Sequence, residues 1–187
     1  MAEPRIPLLS EEEAKQAATE AGVVDAVASL NIFRILLRHP KLAKQVNDLL
    51  MTLLFRGQLD ARLRELVIMR IGWSTGSVYE WTQHWRIALG LGVTEEELLA
   101  VRDWHTHAAW SAADRAVLTA TDETLEHGAV SAATWAECEA ALPDVEERLE
   151  LLGAIGAWRM ISQVLRSLEV PLEEGVAPWP PDGAAPR

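Results

Sequence analysis

Helical periodicity runs along this chain almost without a break, and no segment alternates polar and apolar residues over the length of a strand. Ala, Leu, Glu and Arg, all good helix formers, dominate it. A chain patterned this way buries its apolar residues by packing helix on helix, so the fold class expected is all-α. Helix starts are marked by S/T-x-x-E boxes, in which the hydroxyl accepts from a backbone N–H and the carboxylate reaches back. Ser10 with Glu13, Ser77 with Glu80 and Thr94 with Glu97 fit this pattern, and Ser111 with Asp114 is a shorter-armed version. Pro40 and Pro143 suit first-turn positions. Helices are expected over roughly 11–20, 24–38, 40–55, 60–73, 77–90, 94–103, 112–126, 131–141 and 144–168.

The 187 residues, 49% of them hydrophobic, suffice for one domain with a core, expected over residues 1–175. The remainder, 176–187, holds too many prolines and glycines for a helix and reads as an extended or disordered tail. A formal net charge of −11 repels phosphate backbones and anionic membrane surfaces, so neither nucleic acid nor membrane is expected as a partner. One cysteine, Cys138, can form neither an internal disulfide nor a dithiol redox pair, and its helical setting suggests a small buried residue. No secretory signal or spanning segment is visible, and the expected location is cytoplasmic. Eight tryptophans and the small residues Gly153, Ala154, Gly156 and Ala157 on the last helix point to apolar faces that a homo-oligomer would cover.

The stretch from Arg62 to Leu98 carries the chemistry: a helix, a Ser/Thr/Gly turn and a second helix containing Tyr79, Glu80, Trp81 and His84. Glu80 and His84 stand at i and i+4 and share a face. A carboxylate one turn before an imidazole orients it and favours its charged form, which makes an acid/base unit. Ser77 lies near the same line. Its simplest role is the helix cap, whereas Glu80 reads equally as cap partner and pocket residue. Trp81, Trp85 and Trp73 read first as core, with Trp81 also a candidate pocket wall. His105 and His107, two apart, diverge and read as surface or loop residues. With one imidazole and an i, i+4 Glu/His pair, a metal site is not expected.

The run R-x-R-E-L-V-I-x-R, followed by T-G-S-x-Y-E-W-x-x-H and G-V-T-x-E-E, resembles the core of the carboxymuconolactone decarboxylase-like, alkylhydroperoxidase D-like superfamily, and the likeness extends over about residues 28–175. The resemblance implies an alkylhydroperoxidase D-like helical domain built around a helix hairpin and assembled into trimers or hexamers. In the alkylhydroperoxidase D branch a glutamate on the first helix is followed by C-x-x-C and then a histidine. By spacing, that glutamate falls on Glu65 and that histidine on His84, while the cysteines fall on Ser77 and Glu80. The proton-handling residues are kept and both thiols are lost, and a serine hydroxyl cannot stand in for a thiolate.

The function expected is therefore cofactor-independent acid/base chemistry, such as decarboxylation or isomerisation of a small lactone, keto or enol-type compound. His84 would be the general acid/base, Glu65 and Glu80 would orient it or share its proton, and Tyr79 would donate to an oxygen that gains charge. Ser77 and Trp81 would contact the substrate. A thiol peroxidase and a non-catalytic ligand-binding oligomer are the alternatives, the first opposed by the missing cysteines. An apolar residue in place of His84 is expected to remove function at little cost in stability.

Overall fold

In the computed structural model, which describes residues 4–186, ten α-helices and one 3-10 turn follow one another, and no strand occurs among the described residues. The chain divides into two compact units, one of residues up to Arg56 with Gln163–Val176, the other of Gly57–Ser162 with the residues from Ala177 on.

The first unit holds α1 (Glu11–Ala21), α2 (Asp25–Ala28), α3 (Asn31–Leu36) and α4 (Pro40–Phe55). The Ser10–Glu13 capping box forms, and Pro40 occupies the first turn of α4. The single helix expected over 24–38 is broken at Ser29 and Leu30. Leu30 is extended, and the Asn31 backbone N–H donates to the Glu173 carboxylate at 3.0 Å while its side chain donates to the Pro171 carbonyl at 3.2 Å. A cap supplied from so far along the chain leaves no local trace in the sequence.

The second unit is organised around α5 (Ala61–Thr75) and α6 (Val78–Gly90). Asp60 caps α5 through Leu63 N–H at 3.0 Å. Helix α5 is buried nearly all round, with Leu63, Arg64, Glu65, Leu66, Val67, Ile68, Met69, Ile71 and Gly72 inside. Charged groups on such a helix need partners. Arg62 donates to Asp114 at 2.6 Å and to Glu97, and Arg70 forks onto Asp122 at 2.6 and 2.9 Å and donates to the Val101 and Arg102 carbonyls.

Around this pair lie α7 (Glu95–Ala100), a 3-10 turn (Val101–Thr106), α8 (Ala112–His127), α9 (Ala132–Ala141) and α10 (Val145–Leu168), whose last turns belong to the first unit. The Thr94–Glu97 and Ser111–Asp114 boxes form. Pro143 is not in a first turn: α10 begins at Val145, the Asp144 carboxylate before it accepting from Glu146 N–H at 2.8 Å, and Pro143 precedes both. His105 stacks on Trp104 in the 3-10 turn, with ring centroids 3.9 Å apart.

The described residues from Ala177 on are not helical, and polar contacts tie them to the rest of the second unit. Trp81 Nε1 donates to the Pro180 carbonyl at 2.8 Å, the Trp179 N–H donates to Thr82 Oγ1 at 3.2 Å, and Arg102 forks onto Asp182 at 2.8 and 2.9 Å. Trp179 rests against Trp73 and Trp81.

Candidate active site

Two glycines shape the hairpin that assembles the site. Gly76 ends α5 in the left-handed region at φ 68°, where a side chain is strained. A Cβ on Gly72 would stand 3.0 Å from Trp81 N and 3.4 Å from Glu80 Cβ, so its absence lets α6 press its first turn onto α5. Glu65 on α5 and His84 on α6 thereby meet, with the Glu65 carboxylate 2.7 Å from His84 Nδ1. On the other side of the ring, Glu80 lies 3.6 Å from Nε2. The two carboxylates bracket the imidazole at opposite nitrogens. They do not converge on one point, and no metal-binding group of three His, Cys, Asp or Glu residues occurs among the described residues.

Burial grades across this bracket. The Glu65 side chain is 0% exposed, Glu80 5% and His84 11%, so contact with anything outside falls to Glu80 and His84. Arg64 lies alongside, its guanidinium 3.2 and 3.3 Å from the second Glu65 oxygen. Burial pushes the Glu80 carboxyl up to about 7, with the charge of Glu65 adding to the rise and His84 opposing it. For His84, burial is the largest influence and acts against the charged ring. Glu65, by charge and by hydrogen bond, and Glu80 outweigh it together and lift His84 above its ordinary value, against Arg64.

The serine expected to cap α6 does not do so. Ser77 sits at the cap position, but its ψ is 93°, whereas Ser10, Thr94, Ser111 and Ser131, whose hydroxyls do accept from the following turn, lie between 157° and 171°. The Ser77 hydroxyl is buried with no hydrogen-bond partner among the described residues. The capping-box reading of Ser77 and Glu80 is thus corrected, and the Glu80 carboxylate is turned to His84. Tyr79 is buried on the adjoining line of α6. Trp81 is fully buried between Trp73, Trp85 and Trp179 with its N–H spent on Pro180, so it presents no open wall to a substrate. Cys138 is buried on α9, 3.8 Å from the Ala116 carbonyl, and burial raises its pKa.

The sequence gives no sign of the remaining partner. Trp158 on α10 donates its indole N–H to His84 Nε2 at 3.2 Å, the rings meeting edge to face with centroids 5.7 Å apart. Separated from His84 by 74 positions and embedded in an apolar run, it reads from sequence as core.

Residues 40–123, the segment that contains Glu65, Ser77, Glu80 and His84, match the carboxymuconolactone decarboxylase family model. Solved structures with AhpD-type helical folds match well beyond that segment. One is a peroxidase-related protein with an alkylhydroperoxidase AhpD core from Ralstonia eutropha, with a TM-score of 0.75 at 14% identity over 93% of this chain and 94% of that one.

The chain carries a segment similar to the carboxymuconolactone decarboxylase family within an AhpD-like helical fold.

Other similar structures are an AhpD-type antioxidant-defence candidate from Agrobacterium tumefaciens and the debrominase Bmp8. The first has a TM-score of 0.67 at 20% identity over 73% of this chain and 94% of its own. The second, a cysteine-to-alanine variant in complex with 2,3,4-tribromopyrrole, has a TM-score of 0.70 at 15% identity, covering 93% and 94%. At these identities the likeness shows the fold alone. No curated protein matches the chain.

Proposed function

We propose that this chain is a member of the carboxymuconolactone decarboxylase-like, alkylhydroperoxidase D-like superfamily and a cofactor-independent enzyme that transfers protons on a small lactone, keto or enol-type compound, by decarboxylation or isomerisation. The observation that carries this reading is the bracketed imidazole, with Glu65 at 2.7 Å from one nitrogen and Glu80 at 3.6 Å from the other. Glu65, shut off from the surface, orients the ring. Glu80, whose carboxyl keeps its proton up to about pH 7, is suited to give it to a carbanion or enolate. In a decarboxylation the carboxylate carbon leaves as CO2, the electron pair stays on the substrate, Glu80 protonates it and solvent restores the proton. Tyr79 is assigned to the oxygen that gains charge, and Ser77, with its unused hydroxyl, to substrate contact. Thiol peroxidase chemistry finds no support, since Ser77 and Glu80 stand where that branch has its cysteines and Cys138 lies on α9.

The test is deuterium incorporation from heavy water into a panel of small β-keto acids, enolisable ketones and lactones, read by mass spectrometry. The wild type is expected to label at least one class above the buffer rate, and Glu80→Gln and His84→Gln to lower that rate by about 100-fold or more. Labelling that is equal in Glu80→Gln and wild type counts against the assignment. So does thiol-dependent hydroperoxide turnover that disappears in Cys138→Ser.

Self-association is part of the same proposal, as a trimer or hexamer. Val145, Leu149, Leu152 and Met160 form an exposed apolar line along α10, with open space at Gly156, and a second copy would cover it. Light scattering is expected to give a multiple of the 20.7 kDa chain mass, and Leu149→Lys to reduce it. A monomer mass for the wild type at micromolar concentration refutes it. No described helix is long and apolar enough to cross a membrane. A cytoplasmic setting is included in the proposal on the strength of the single unpaired cysteine.

A further inference from the structure

The groups that face His84 come from three helices: Glu65 and Arg64 from α5, Glu80 from α6 and Trp158 from α10. Of these, Trp158 alone fixes a direction. An indole N–H can only donate, so at 3.2 Å from Nε2 it requires a lone pair there. The ring proton is then on Nδ1, where the Glu65 carboxylate accepts it at 2.7 Å. Glu80, 3.6 Å from the same Nε2, competes with Trp158 for that nitrogen. If the Glu80 proton moved to Nε2, two donors would face each other and the buried indole N–H would lose its acceptor.

We propose that Trp158 is a positioning residue that keeps His84 Nε2 free of a proton, so that the transferable proton of the cluster rests on Glu80 and not on the imidazole. This rests on the proton-transfer reading above and assigns the roles within it. Glu80 is the acid, and His84 is a neutral ring clamped between Glu65 and Trp158 that takes up the Glu80 proton only when the indole bond breaks. The charge of Glu65 favours a doubly protonated ring, and Trp158 is the counterweight.

The test uses the full chain with nitrogen-15-labelled histidine. Long-range proton–nitrogen correlation reads which ring nitrogen carries the proton, and the His84 signals are identified by their loss in His84→Gln. In the wild type above the His84 titration midpoint, the neutral ring is expected to carry its proton on Nδ1. Trp158→Phe keeps an aromatic ring and removes the donor, and is expected to raise the His84 titration midpoint by about one pH unit, a tenfold change in its proton equilibrium. A neutral wild-type ring protonated on Nε2 overturns the proposal. So does a midpoint that stays or falls in Trp158→Phe. Should that variant not fold, the wild-type tautomer decides alone. None of these readouts needs a substrate. A correct tautomer with no substrate labelling sinks the catalytic reading and leaves this one standing, whereas labelling that depends on Glu80 beside a neutral His84 protonated on Nε2 does the reverse.

Discussion

Glu80→Gln is expected to stabilise the protein by about 3 kcal/mol at pH 8 and to change its stability little at pH 4. The carboxyl is displaced from 4.5 to about 7 on folding, which corresponds to roughly 3 kcal/mol. Between those two values the native chain holds a proton that the unfolded chain has released, so stability declines as pH rises. The contribution is intact below the unfolded value and lost as pH passes through the folded one. Glutamine has the shape of the protonated carboxyl and never ionises, so it escapes the loss. Urea unfolding of both proteins across this range checks the prediction, and a stability difference independent of pH would sink it. If Glu80 is also the acid, the same substitution that strengthens the fold removes the proton it donates, the exchange of stability for function expected of a buried catalytic carboxyl.

His84→Leu is expected to cost about 3 kcal/mol, the reverse of what the sequence suggests. From the sequence alone, a leucine would pack better than an imidazole in a desolvated cluster. The structure shows that Glu65 is fully buried and that His84 accounts for its shortest bond, at 2.7 Å. Removing one member of a buried pair leaves the other charge uncompensated, and that is the expensive half of the exchange. Arg64, at 3.2 Å and longer, compensates only in part. Glu65→Gln combined with His84→Leu is expected to recover most of the loss, because the stranded charge is gone. A His84→Leu single variant as stable as wild type, or a double variant no better than the single, would refute this account.

What was legible in the sequence follows from the range of the interactions. The pairing of Glu80 with His84 could be read because the two share one helix face, whereas Glu65 was brought to His84 by the family resemblance of its run. The caps at Ser10, Thr94 and Ser111 are set by residues three positions apart. The cap at Ser77 failed although its pattern is the same, because the closely packed hairpin at Gly76 holds Ser77 at a ψ that turns its hydroxyl away. The break between α2 and α3 was invisible because Glu173 and Pro171 supply it. Trp158 was invisible for the same reason: no local period ties a residue on α10 to one on α6. Local rules recover elements and neighbours on one helix face, and side-chain bonds across long sequence separations fall outside them.

The residues after Ala177 bring a fourth indole to three supplied by α5 and α6. Trp73, Trp81, Trp85 and Trp179 form a chain of neighbours with centroids 5.1 to 6.3 Å apart. Rings this close couple their electronic transitions, so the protein carries a built-in chromophore in its near-ultraviolet circular dichroism. One member of that chromophore sits on the C-terminal segment, which makes the signal a label-free gauge of whether the segment is seated.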